Sequence, residues 1–381
     1  MSIRVMTIFG TRPEAIKMAP LVQELSRRKG LESLCCVTAQ HREMLDSVLS
    51  IFRLTPDYDL NIMEPRQTLS TITSKCLLGV ERVLTETKPD LVLVHGDTST
   101  TFSAALAAFY QKIPVGHVEA GLRTYDKYSP FPEEMNRKLV TALADLYFCP
   151  TAQNRVNLEK EGVTNGVFLT GNTVIDALAS TVVKDYRFSV DLLNELDYAD
   201  KKVILVTCHR RENYGEPMTA IMTALREIVE THPDVELVYP VHLSPAVQEA
   251  AKTYLSGHPR IHLIAPLDVE EMHNLMARCY LVMTDSGGLQ EEAPALGKPV
   301  LVLRRETERP EAVAAGTVRL AGVQREDIVS MASQLLESPA AYEAMAHAVN
   351  PYGDGHACAR IADAIEWHFG LRDARPADFT V

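Results

Sequence analysis

Short runs of aliphatic and β-branched residues alternate with longer amphipathic stretches along most of the chain. In the first half these runs predict strands at Val5–Phe9, Leu34–Thr38, Leu91–His95, Val115–Val118 and Leu146–Cys149. Between them, the amphipathic stretches predict helices at Glu14–Arg28, Met44–Phe52, Leu69–Glu86 and Ser99–Tyr110. Continuously apolar strands are typical of a parallel sheet with helices on both faces. The pattern therefore predicts an α/β fold built on a doubly wound, Rossmann-like sheet.

The same pattern begins again after a polar, charge-dense segment at Lys184–Lys202. Here the predicted strands are Val203–Thr207, Val235–Val241, Ile261–Ala265, Leu281–Thr284 and Val300–Leu303. The predicted helices are Met218–Glu230, Pro245–Tyr254, Val269–Ala277 and Leu289–Leu296. A chain of 381 residues exceeds the size at which one core usually divides into domains. The sequence therefore predicts two doubly wound domains.

We place the domains at residues 1–171 and 172–364, with the hinge near Gly171–Asn172. A final helix is predicted at Ala357–Phe369, and the C-terminal segment of about residues 365–381 is expected to pack back on the first domain. Two such domains facing each other leave a cleft between the carboxyl ends of both sheets, where open α/β sheets bind ligands. The second domain is expected to hold the nucleotide.

Composition and charge exclude several classes of function. The net charge of −12 argues against broad binding of nucleic acid or anionic membranes. The chain has neither an apolar stretch of membrane-spanning length nor a signal-peptide pattern at its start, which leads us to expect a cytoplasmic protein. Seven scattered cysteines without a CxxC pair indicate buried, reduced thiols. GxGxxG, P-loop, HExxH and GxSxG motifs are also absent, which disfavours dinucleotide, P-loop, zinc and α/β-hydrolase sites.

The most informative segment is EAGLRTYDKYSPFPEEMNR, Glu119–Arg137, which directly follows the predicted strand Val115–Val118. We predict it to be one loop, punctuated by glycine and proline, that contains three glutamates and two arginines: Glu119, Glu133, Glu134, Arg123 and Arg137. Desolvating such a group of charges is unfavourable, so stability alone rarely explains it. Function can require acid/base groups and anion-binding cations in one cleft. We interpret the segment as part of an active site.

Asp97 lies at the carboxyl end of the preceding predicted strand, Leu91–His95, and Thr98 is placed to cap the next helix. Asp97 can equally be only a helix cap, which contributes about 1 kcal/mol. The functional interpretation is favoured because Glu119 ends the next strand along the chain. Neighbouring strand ends would bring the two carboxylates near each other, where repulsion can raise the pKa of one of them.

Cationic residues follow other predicted strands. Arg12 and Lys17 lie on the first turns of a predicted helix, where free N–H groups favour a phosphate or carboxylate. The alternative to an anion site is a plain capped turn in which the charges of Arg12 and Lys17 are solvated. His209 and Arg210 follow Val203–Thr207 and are suited to proton transfer and anion binding, with a structural ion-pair cluster as the alternative. His242 ends a further predicted strand, and a structural role is as probable there as a functional one.

The run Asp285–Glu292, DSGGLQEE, follows Leu281–Thr284 and leads into a helix. Small residues such as Ser286 and Gly287 let backbone N–H groups approach a diphosphate closely. Glu292, one turn later, can accept hydrogen bonds from ribose hydroxyls. The alternative is a tight strand-to-helix turn without a ligand.

Several strings taken together resemble one family, the non-hydrolysing UDP-N-acetylglucosamine 2-epimerases of bacteria and archaea. They are FGTRPEAIKMAP, TAQHREMLD, RQTL, VHGDT, EAGLRTYDKYSPFPEEMNR, TGNTVIDAL, HRREN and DSGGLQEEAPALGKPVLVLR. The resemblance extends over nearly the whole chain. It implies a two-domain fold like that of the glycosyltransferase B class, and a homodimer.

The implied reaction interconverts UDP-GlcNAc and UDP-ManNAc without NAD or metal, so no cofactor is expected. UDP leaves to give 2-acetamidoglucal and then adds back, and the product supplies ManNAc units for a surface polysaccharide. The implied partners are UDP-GlcNAc, UDP-ManNAc and UDP. A second UDP-GlcNAc is implied as an allosteric activator.

The resemblance also assigns roles to individual residues. The catalytic residues it implies are Asp97, Glu119, Glu133 and His209. The substrate-binding residues are Arg12, Lys17, Arg137, Arg210, Ser286, Gly287 and Glu292. The allosteric residues are Gln40, His41, Arg66 and His242. Of the catalytic set, Glu133 is expected to touch both ligands.

Three other functions are compatible with parts of this pattern. A hydrolysing epimerase releases ManNAc and UDP from the same intermediate, but it is expected to lack the activator residues. A glycosyltransferase of the same fold needs an acceptor, whereas the carboxylates of the first domain favour proton transfer. A non-catalytic sensor would bind UDP-GlcNAc and leave it unchanged.

Overall fold

The structure is a computed structural model that describes residues 2–40, 42–64 and 66–380. The chain divides into two compact units. Unit 1 consists of Met1–Ser180 with Tyr352–Val381, and unit 2 consists of Thr181–Pro351. Each unit carries its own parallel sheet with helices between the strands. The prediction of two doubly wound α/β sheets is therefore confirmed.

Within the described residues, unit 1 has seven parallel strands in the order β3-β2-β1-β4-β5-β6-β7. They are β1 Ile3–Phe9, β2 Leu31–Val37, β3 Tyr58–Asp59, β4 Leu91–His95, β5 Val115–Val118, β6 Leu146–Cys149 and β7 Val167–Leu169. The strand order reverses between β1 and β4. Such a reversal opens a crevice at the carboxyl ends of the strands.

The helices of unit 1 pack on the two faces of this sheet. They are α1 Arg12–Arg27, α2 Arg42–Ile51, α3 Leu69–Thr87, α4 Ser99–Tyr110, α5 Glu133–Leu143, α6 Ala152–Lys160 and α7 Thr173–Thr181. The strands β4 and β5 are buried along their whole length, as a sheet covered on both faces requires.

The C-terminal helix of the chain, α16 (Ala357–His368), belongs to unit 1 and packs against α1. The guanidinium of Arg28 lies 2.7 Å from the Asp363 carboxylate and ties the two helices together. The unit boundary falls later than the predicted hinge at 171–172, because α7 is held in unit 1. Its Asp176 carboxylate accepts hydrogen bonds from the backbone N–H groups of Ala357 and Cys358, at 3.1 and 2.8 Å.

Unit 2, all of whose residues are described, has six parallel strands in the order β10-β9-β8-β11-β12-β13. They are β8 Lys202–Thr207, β9 Val235–Pro240, β10 Ile261–Ile264, β11 Leu281–Thr284, β12 Val300–Val302 and β13 Val318–Leu320. The helices are α8 Asp191–Glu195, α9 Glu216–Thr231, α10 Pro245–Leu255, α11 Val269–Arg278, α12 Leu289–Ala295, α13 Pro310–Ala315, α14 Arg325–Glu337 and α15 Pro339–Ala346. The strand order reverses between β8 and β11, so unit 2 has a crevice of the same kind.

All seven cysteines are buried free thiols, as their scattered positions indicated. In the part of the chain that the structure describes, no helix is both long and apolar enough to span a membrane.

Candidate active site

Glu119 is held at the carboxyl end of β5 by groups from two other segments of unit 1. Its backbone has φ = +62°, a left-handed conformation that is unfavourable for a residue with a side chain. Its carboxylate forms an ion pair with Lys17 of α1 and accepts a 3.0 Å hydrogen bond from the Asn172 side chain. Only 14% of the Glu119 side chain is exposed. An ion pair therefore joins the end of β5 to the first turns of α1.

His95, at the end of β4, lies behind this carboxylate. Its Nε2 is 3.6 Å from the Glu119 Oε2, and neither ring nitrogen has a hydrogen-bond partner among the described residues. Burial lowers the pKa of His95 to about 3, so the ring is neutral at ordinary pH. The sequence interpretation gave His95 no role. The sequence shows a histidine at the end of a predicted strand, but it does not show that the ring is buried against Glu119.

Asp97 is held by Arg137, which lies on α5. The Asp97 Oδ2 is 2.9 Å from the arginine Nε and 2.7 Å from its Nη2, and the Asn136 side chain donates to the Asp97 carbonyl at 2.8 Å. The strands β4 and β5 are neighbours, as expected. Their two carboxylates nevertheless have different cationic partners, Arg137 for Asp97 and Lys17 for Glu119. Each carboxylate is thus held in a fixed orientation by its own cation, as a positioned acid/base group requires.

Glu133 and Arg137 belong to a helix, α5, although the sequence interpretation placed the whole segment in a loop. The fully buried Glu134 organises this helix start. Its carboxylate accepts hydrogen bonds from the backbone N–H groups of Thr124 and Tyr125, both at 3.0 Å, and from Arg137 at 3.1 Å. Beside it, the Glu133 Oε2 is buried without a hydrogen-bond partner in the described part of the chain. An unsatisfied buried oxygen of this kind calls for a ligand or a proton.

Replacing Glu134 by glutamine is expected to lower the free energy of unfolding by about 2 kcal/mol or more, because one backbone donor then faces an amide NH₂ instead of an acceptor. Denaturant unfolding of the full chain measures the change. Glu32→Gln is the matched control, since Glu32 forms a solvent-exposed pair with Arg4. Equal stability of the two variants would show that Glu134 does not hold the loop.

The first turn of α1 is fixed by Glu14, a buried residue that the sequence interpretation did not single out. Its carboxylate accepts hydrogen bonds from the Gly10 and Thr11 backbone at 3.1 and 2.8 Å, and from the Thr98 hydroxyl at 2.7 Å. Thr98 caps α4, as predicted, by accepting from the Thr101 N–H. This bridge between two helix starts leaves the side chain of Arg12 exposed beside them. Arg12 is thus free to contact an anion.

The buried histidines of unit 1 predict a pH dependence of stability. The pKa of His95 is lowered to about 3 and that of His117 to about 4, mainly by burial, against about 6.5 for an unfolded histidine. Between about pH 6 and pH 5 the unfolded chain therefore binds more protons than the folded chain, and stability falls as the pH falls, by about 1.4 kcal/mol per pH unit for each histidine.

We expect His95→Gln to reduce this slope, and the same change at the exposed His347 serves as the control. Urea unfolding at a series of pH values measures both slopes. A His95→Gln slope equal to that of the unchanged protein would mean that His95 is already charged in the folded state.

In unit 2, Asp285 lies at the carboxyl end of the sheet, directly after β11, and is fully buried. Its Oδ2 accepts hydrogen bonds from the backbone N–H groups of His209 and Arg210 at 2.8 and 2.7 Å, and from the Asn213 side chain at 3.1 Å. The carboxylate therefore fixes the segment after β8 in one conformation. In the sequence, Asp285 was noted only as the first residue of the DSGGLQEE run, without a role of its own.

The His209 ring stacks on the His242 ring, with centroids 5.0 Å apart and planes 10° from parallel. Burial lowers the pKa of His209, and the Asp285 carboxylate opposes that shift. A largely neutral His209 can accept or donate one proton near neutral pH. The structure thus brings together two histidines that the sequence interpretation placed in different functional sets.

Two guanidinium groups flank Gly287 at the turn before α12. A Cβ at Gly287 would lie 3.9 Å from the Arg210 Nη2 and 3.9 Å from the Arg309 Nη2, so a larger residue would fill the space between the cations. Arg309 was not predicted. Nearby, Glu292 lies one turn into the helix, with its Oε2 3.4 Å from the His273 Nε2. The arrangement of small residues and paired arginines is suited to a diphosphate.

A sequence profile described as UDP-N-acetylglucosamine 2-epimerase matches residues 23–366 of the chain. The chain belongs to the UDP-N-acetylglucosamine 2-epimerase family. This confirms the family suggested by the motifs and agrees with the carboxylate-rich edge of unit 1 and the cation-rich edge of unit 2.

Members of this family are similar to the chain over almost its full length. The UDP-N-acetylglucosamine 2-epimerase of Bacillus subtilis is 55% identical over 379 residues, 99% of both chains. The crystal structure of the UDP-GlcNAc 2-epimerase from Neisseria meningitidis, bound to UDP-GlcNAc, is 49% identical with a TM-score of 0.85, covering 95% of this chain and 99% of that one. The structure of Staphylococcus aureus MnaA with UDP is 51% identical with a TM-score of 0.89, covering 99% and 100%.

The four residues that the family resemblance assigned to an allosteric site differ in their exposure and in their contacts. Gln40 accepts a 3.3 Å hydrogen bond from the Thr100 hydroxyl. Arg66 is exposed and has φ = +60°, a strained conformation for arginine. His41 lies outside the described residues. His242 is exposed in unit 2, where its Nδ1 accepts from the Ser244 N–H at 3.1 Å.

Proposed function

We propose that the chain is a non-hydrolysing UDP-GlcNAc 2-epimerase, which interconverts UDP-GlcNAc and UDP-ManNAc and returns UDP to the sugar. One observation carries the proposal. Asp97 and Glu119 end neighbouring strands, and each is balanced by its own cation from another segment of unit 1. Two positioned carboxylates of this kind are suited to proton transfer at the sugar. The family to which the chain belongs indicates that the sugar is carried by UDP-GlcNAc.

The chemistry explains why such carboxylates are needed. The C2–H bond of the sugar is hardly acidic, so a base alone would be ineffective. Departure of UDP gives C1 oxocarbenium-ion character, which acidifies C2 and is stabilised by nearby carboxylates. Loss of the C2 proton then gives 2-acetamidoglucal. Return of a proton from the opposite face, together with UDP, gives the epimer. Proton transfer on two faces requires at least two acid/base groups.

We assign proton transfer to Asp97, Glu119 and Glu133. Glu119 is held in one orientation by Lys17 and Asn172, which reduces the reorganisation needed when a proton moves. Glu133 has a buried oxygen without a hydrogen-bond partner among the residues described, so it can meet the sugar without breaking an existing contact. Arg137 holds the Asp97 carboxylate in place.

The edge of unit 2 would bind and release UDP. Arg210, Ser286 and Gly287 would hold the diphosphate, and Glu292 would accept hydrogen bonds from the ribose. His209, largely neutral because of burial, would assist departure of UDP by donating a hydrogen bond from its ring N–H to the leaving phosphate. Arg12, exposed at the start of α1 in unit 1, is assigned to substrate binding by the family resemblance. The UDP and UDP-GlcNAc complexes of the two structural relatives support this choice of ligands.

The proposal includes activation by a second UDP-GlcNAc at Gln40, His41, Arg66 and His242. Binding at both sites would favour the active arrangement of the protein. Assays starting from UDP-ManNAc alone are expected to be slow and to accelerate when a trace of UDP-GlcNAc is added. Equal rates with and without UDP-GlcNAc would exclude this regulation.

The proposed homodimer is supported by apolar side chains exposed on two adjacent helices of unit 1. Leu78 on α3 and Phe109 and Tyr110 on α4 are each more than half exposed. Such a group of apolar side chains is more often an interface than a solvated surface. Phe109→Lys is expected to convert dimer to monomer in sedimentation velocity, whereas Val183→Lys in unit 2 should not. A Phe109→Lys protein that remains dimeric would place the interface elsewhere.

Product analysis tests the proposed reaction directly. Purified protein incubated with UDP-GlcNAc is expected to form UDP-ManNAc, with free UDP remaining at a trace level. Accumulation of ManNAc together with an equal amount of UDP would identify a hydrolysing enzyme. Recovery of unchanged UDP-GlcNAc would indicate a binding protein.

A further inference from the structure

A cavity of about 220 Å³, open to solvent, lies in unit 2 outside the edge assigned to UDP. Its walls include Glu212, Asn213, Pro217, Arg304, Arg305 and Val323. The volume is smaller than that of most ligand pockets and restricts the occupant to a small molecule. None of these residues has a role in the proposed reaction.

One wall of the cavity and the helix that follows the Ser286–Gly287 turn lie on opposite faces of the sheet. The chain steps from β8 to β9 in one direction along the sheet and from β11 to β12 in the other. Because crossovers between parallel strands are right-handed, the intervening helices α9 and α12 cover opposite faces. Pro217 lies on α9, and Val323 leads into α14, which packs against α9. The wall formed by α9 and the segment before α14 is therefore on the opposite face of the sheet from α12, and Arg304 and Arg305 complete the cavity from the carboxyl end of β12.

The cavity wall carries an unsatisfied buried donor. Arg304 is only 7% exposed, and its Nε donates to the Glu212 carboxylate at 2.5 Å. Its Nη1 has no hydrogen-bond partner within residues 2–40, 42–64 and 66–380. A guanidinium offers donors only, so what this group lacks is an acceptor oxygen. Leaving such a donor unsatisfied is unfavourable unless a ligand or water supplies the oxygen.

Other groups around the cavity also favour a ligand that carries acceptor oxygens. Arg305, next in the chain, is exposed and adds a second guanidinium. The N-terminus of α9 also reaches the cavity through Pro217, and its N-cap is Gly215, which has no side chain to satisfy the first N–H groups. A helix N-terminus of this kind favours an anion. Exposed Glu306 and the Glu212 carboxylate are acceptors and suit hydroxyl donors.

We propose that this cavity is a second ligand site, which takes a small hydroxylated anion: a sugar-sized polyol bearing a phosphate or a carboxylate. The anionic group contacts Arg304, Arg305 and the α9 N-terminus, while the hydroxyls donate to Glu306 and Glu212. A bare anion meets the arginines but also the two carboxylates, so it binds less well. A neutral polyol leaves the arginine donors without a charged acceptor.

The site is physically connected to the edge that faces UDP. Asn213 lines the cavity, and its side-chain amide donates to the Asp285 carboxylate at 3.1 Å and to the Leu303 carbonyl at 3.0 Å. Asp285 in turn holds the backbone of His209 and Arg210. A ligand in the cavity therefore contacts the segment that positions both residues. The proposal does not depend on the reaction assigned above.

Isothermal titration calorimetry of the full chain tests the proposal, with UDP at saturating concentration so that anions cannot enter the UDP site. The probes are glucose 6-phosphate, glucuronate, inorganic phosphate and neutral glucose. Binding is expected for one or both sugar anions, and the pair identifies whether phosphate or carboxylate is preferred. Binding of UDP is measured separately, so its failure would concern the proposed function and not this site.

Arg305→Gln is expected to weaken binding of the sugar anion by about tenfold or more, the loss of one charge-assisted contact. Arg187→Gln is the matched control, because Arg187 is an exposed arginine of the same unit outside the cavity. Three results would overturn the proposal: no binding of either sugar anion, equal affinity of the Arg305→Gln and Arg187→Gln proteins, or inorganic phosphate binding as tightly as the sugar anions.

Discussion

Replacing Glu119 by glutamine is expected to lower kcat for epimerisation by about 10²- to 10⁴-fold, the usual contribution of a positioned acid/base group. Glutamine keeps the size of the side chain and can still accept the hydrogen bond from Asn172, but it cannot take up a proton. The ion pair with Lys17 is also lost. Affinity for UDP should change little, because the nucleotide is assigned mainly to unit 2. Initial rates and a UDP titration on the same preparation separate the two effects.

Glu32→Gln serves as the control for this variant, since it removes a carboxylate from the same unit at an exposed pair with Arg4. It should retain full activity. A Glu119→Gln protein that is folded and turns over UDP-GlcNAc at the unchanged rate would remove Glu119 from the mechanism. A parallel loss of UDP affinity would instead assign Glu119 to binding.

The second large effect is expected at Asp285. Changing it to alanine leaves three donors without their acceptor: the backbone N–H groups of His209 and Arg210 and the amide of Asn213. Hydrogen bonds to a charged group contribute about 1.5–3 kcal/mol each, so we expect UDP to bind about 100-fold more weakly or worse. The segment would no longer present Arg210 and His209 in a fixed orientation. Calorimetric titration with UDP measures the change.

Asp285→Asn distinguishes loss of the acceptor from loss of fold. It preserves an acceptor oxygen, and we expect it to bind UDP with an affinity between those of the unchanged protein and the alanine variant. Asp327→Ala, at an exposed position of unit 2, controls for removal of an aspartate. If the alanine variant gives an unchanged unfolding temperature together with unchanged UDP affinity, Asp285 does not organise this edge.

Much of the fold follows from local pattern, and the exceptions have simple physical causes. The strands β4, β5, β6 and β11 begin and end at the predicted residues, because each is a fully buried apolar run. The strands β3, β7 and β13 were not predicted, since two or three residues carry no detectable period. The helix α5 was taken as loop because its first turn is charged and follows two prolines.

The sequence interpretation found charged residues at strand ends but not the residues that hold them. Lys17 and Glu119 are about a hundred positions apart, and their pairing was not predicted although each residue was assigned to the site. Glu134 and Asp285 are buried carboxylates whose partners are mainly backbone N–H groups. Every residue except proline has a backbone N–H group, so these hydrogen bonds do not require particular residue types. They are therefore seen only in the coordinates. His95 was missed for a related reason, since burial is what makes it neutral.

Deuterium incorporation tests the central claim, that carboxylates of unit 1 remove and return the proton at C2. UDP-GlcNAc is incubated in D₂O with the purified protein and no added cofactor, and the recovered UDP-ManNAc is examined by NMR and mass spectrometry. We predict one deuterium at C2 with the unchanged protein and with Glu32→Gln, and little labelled product with Glu119→Gln. UDP-ManNAc that retains its original hydrogen at C2 would contradict the account.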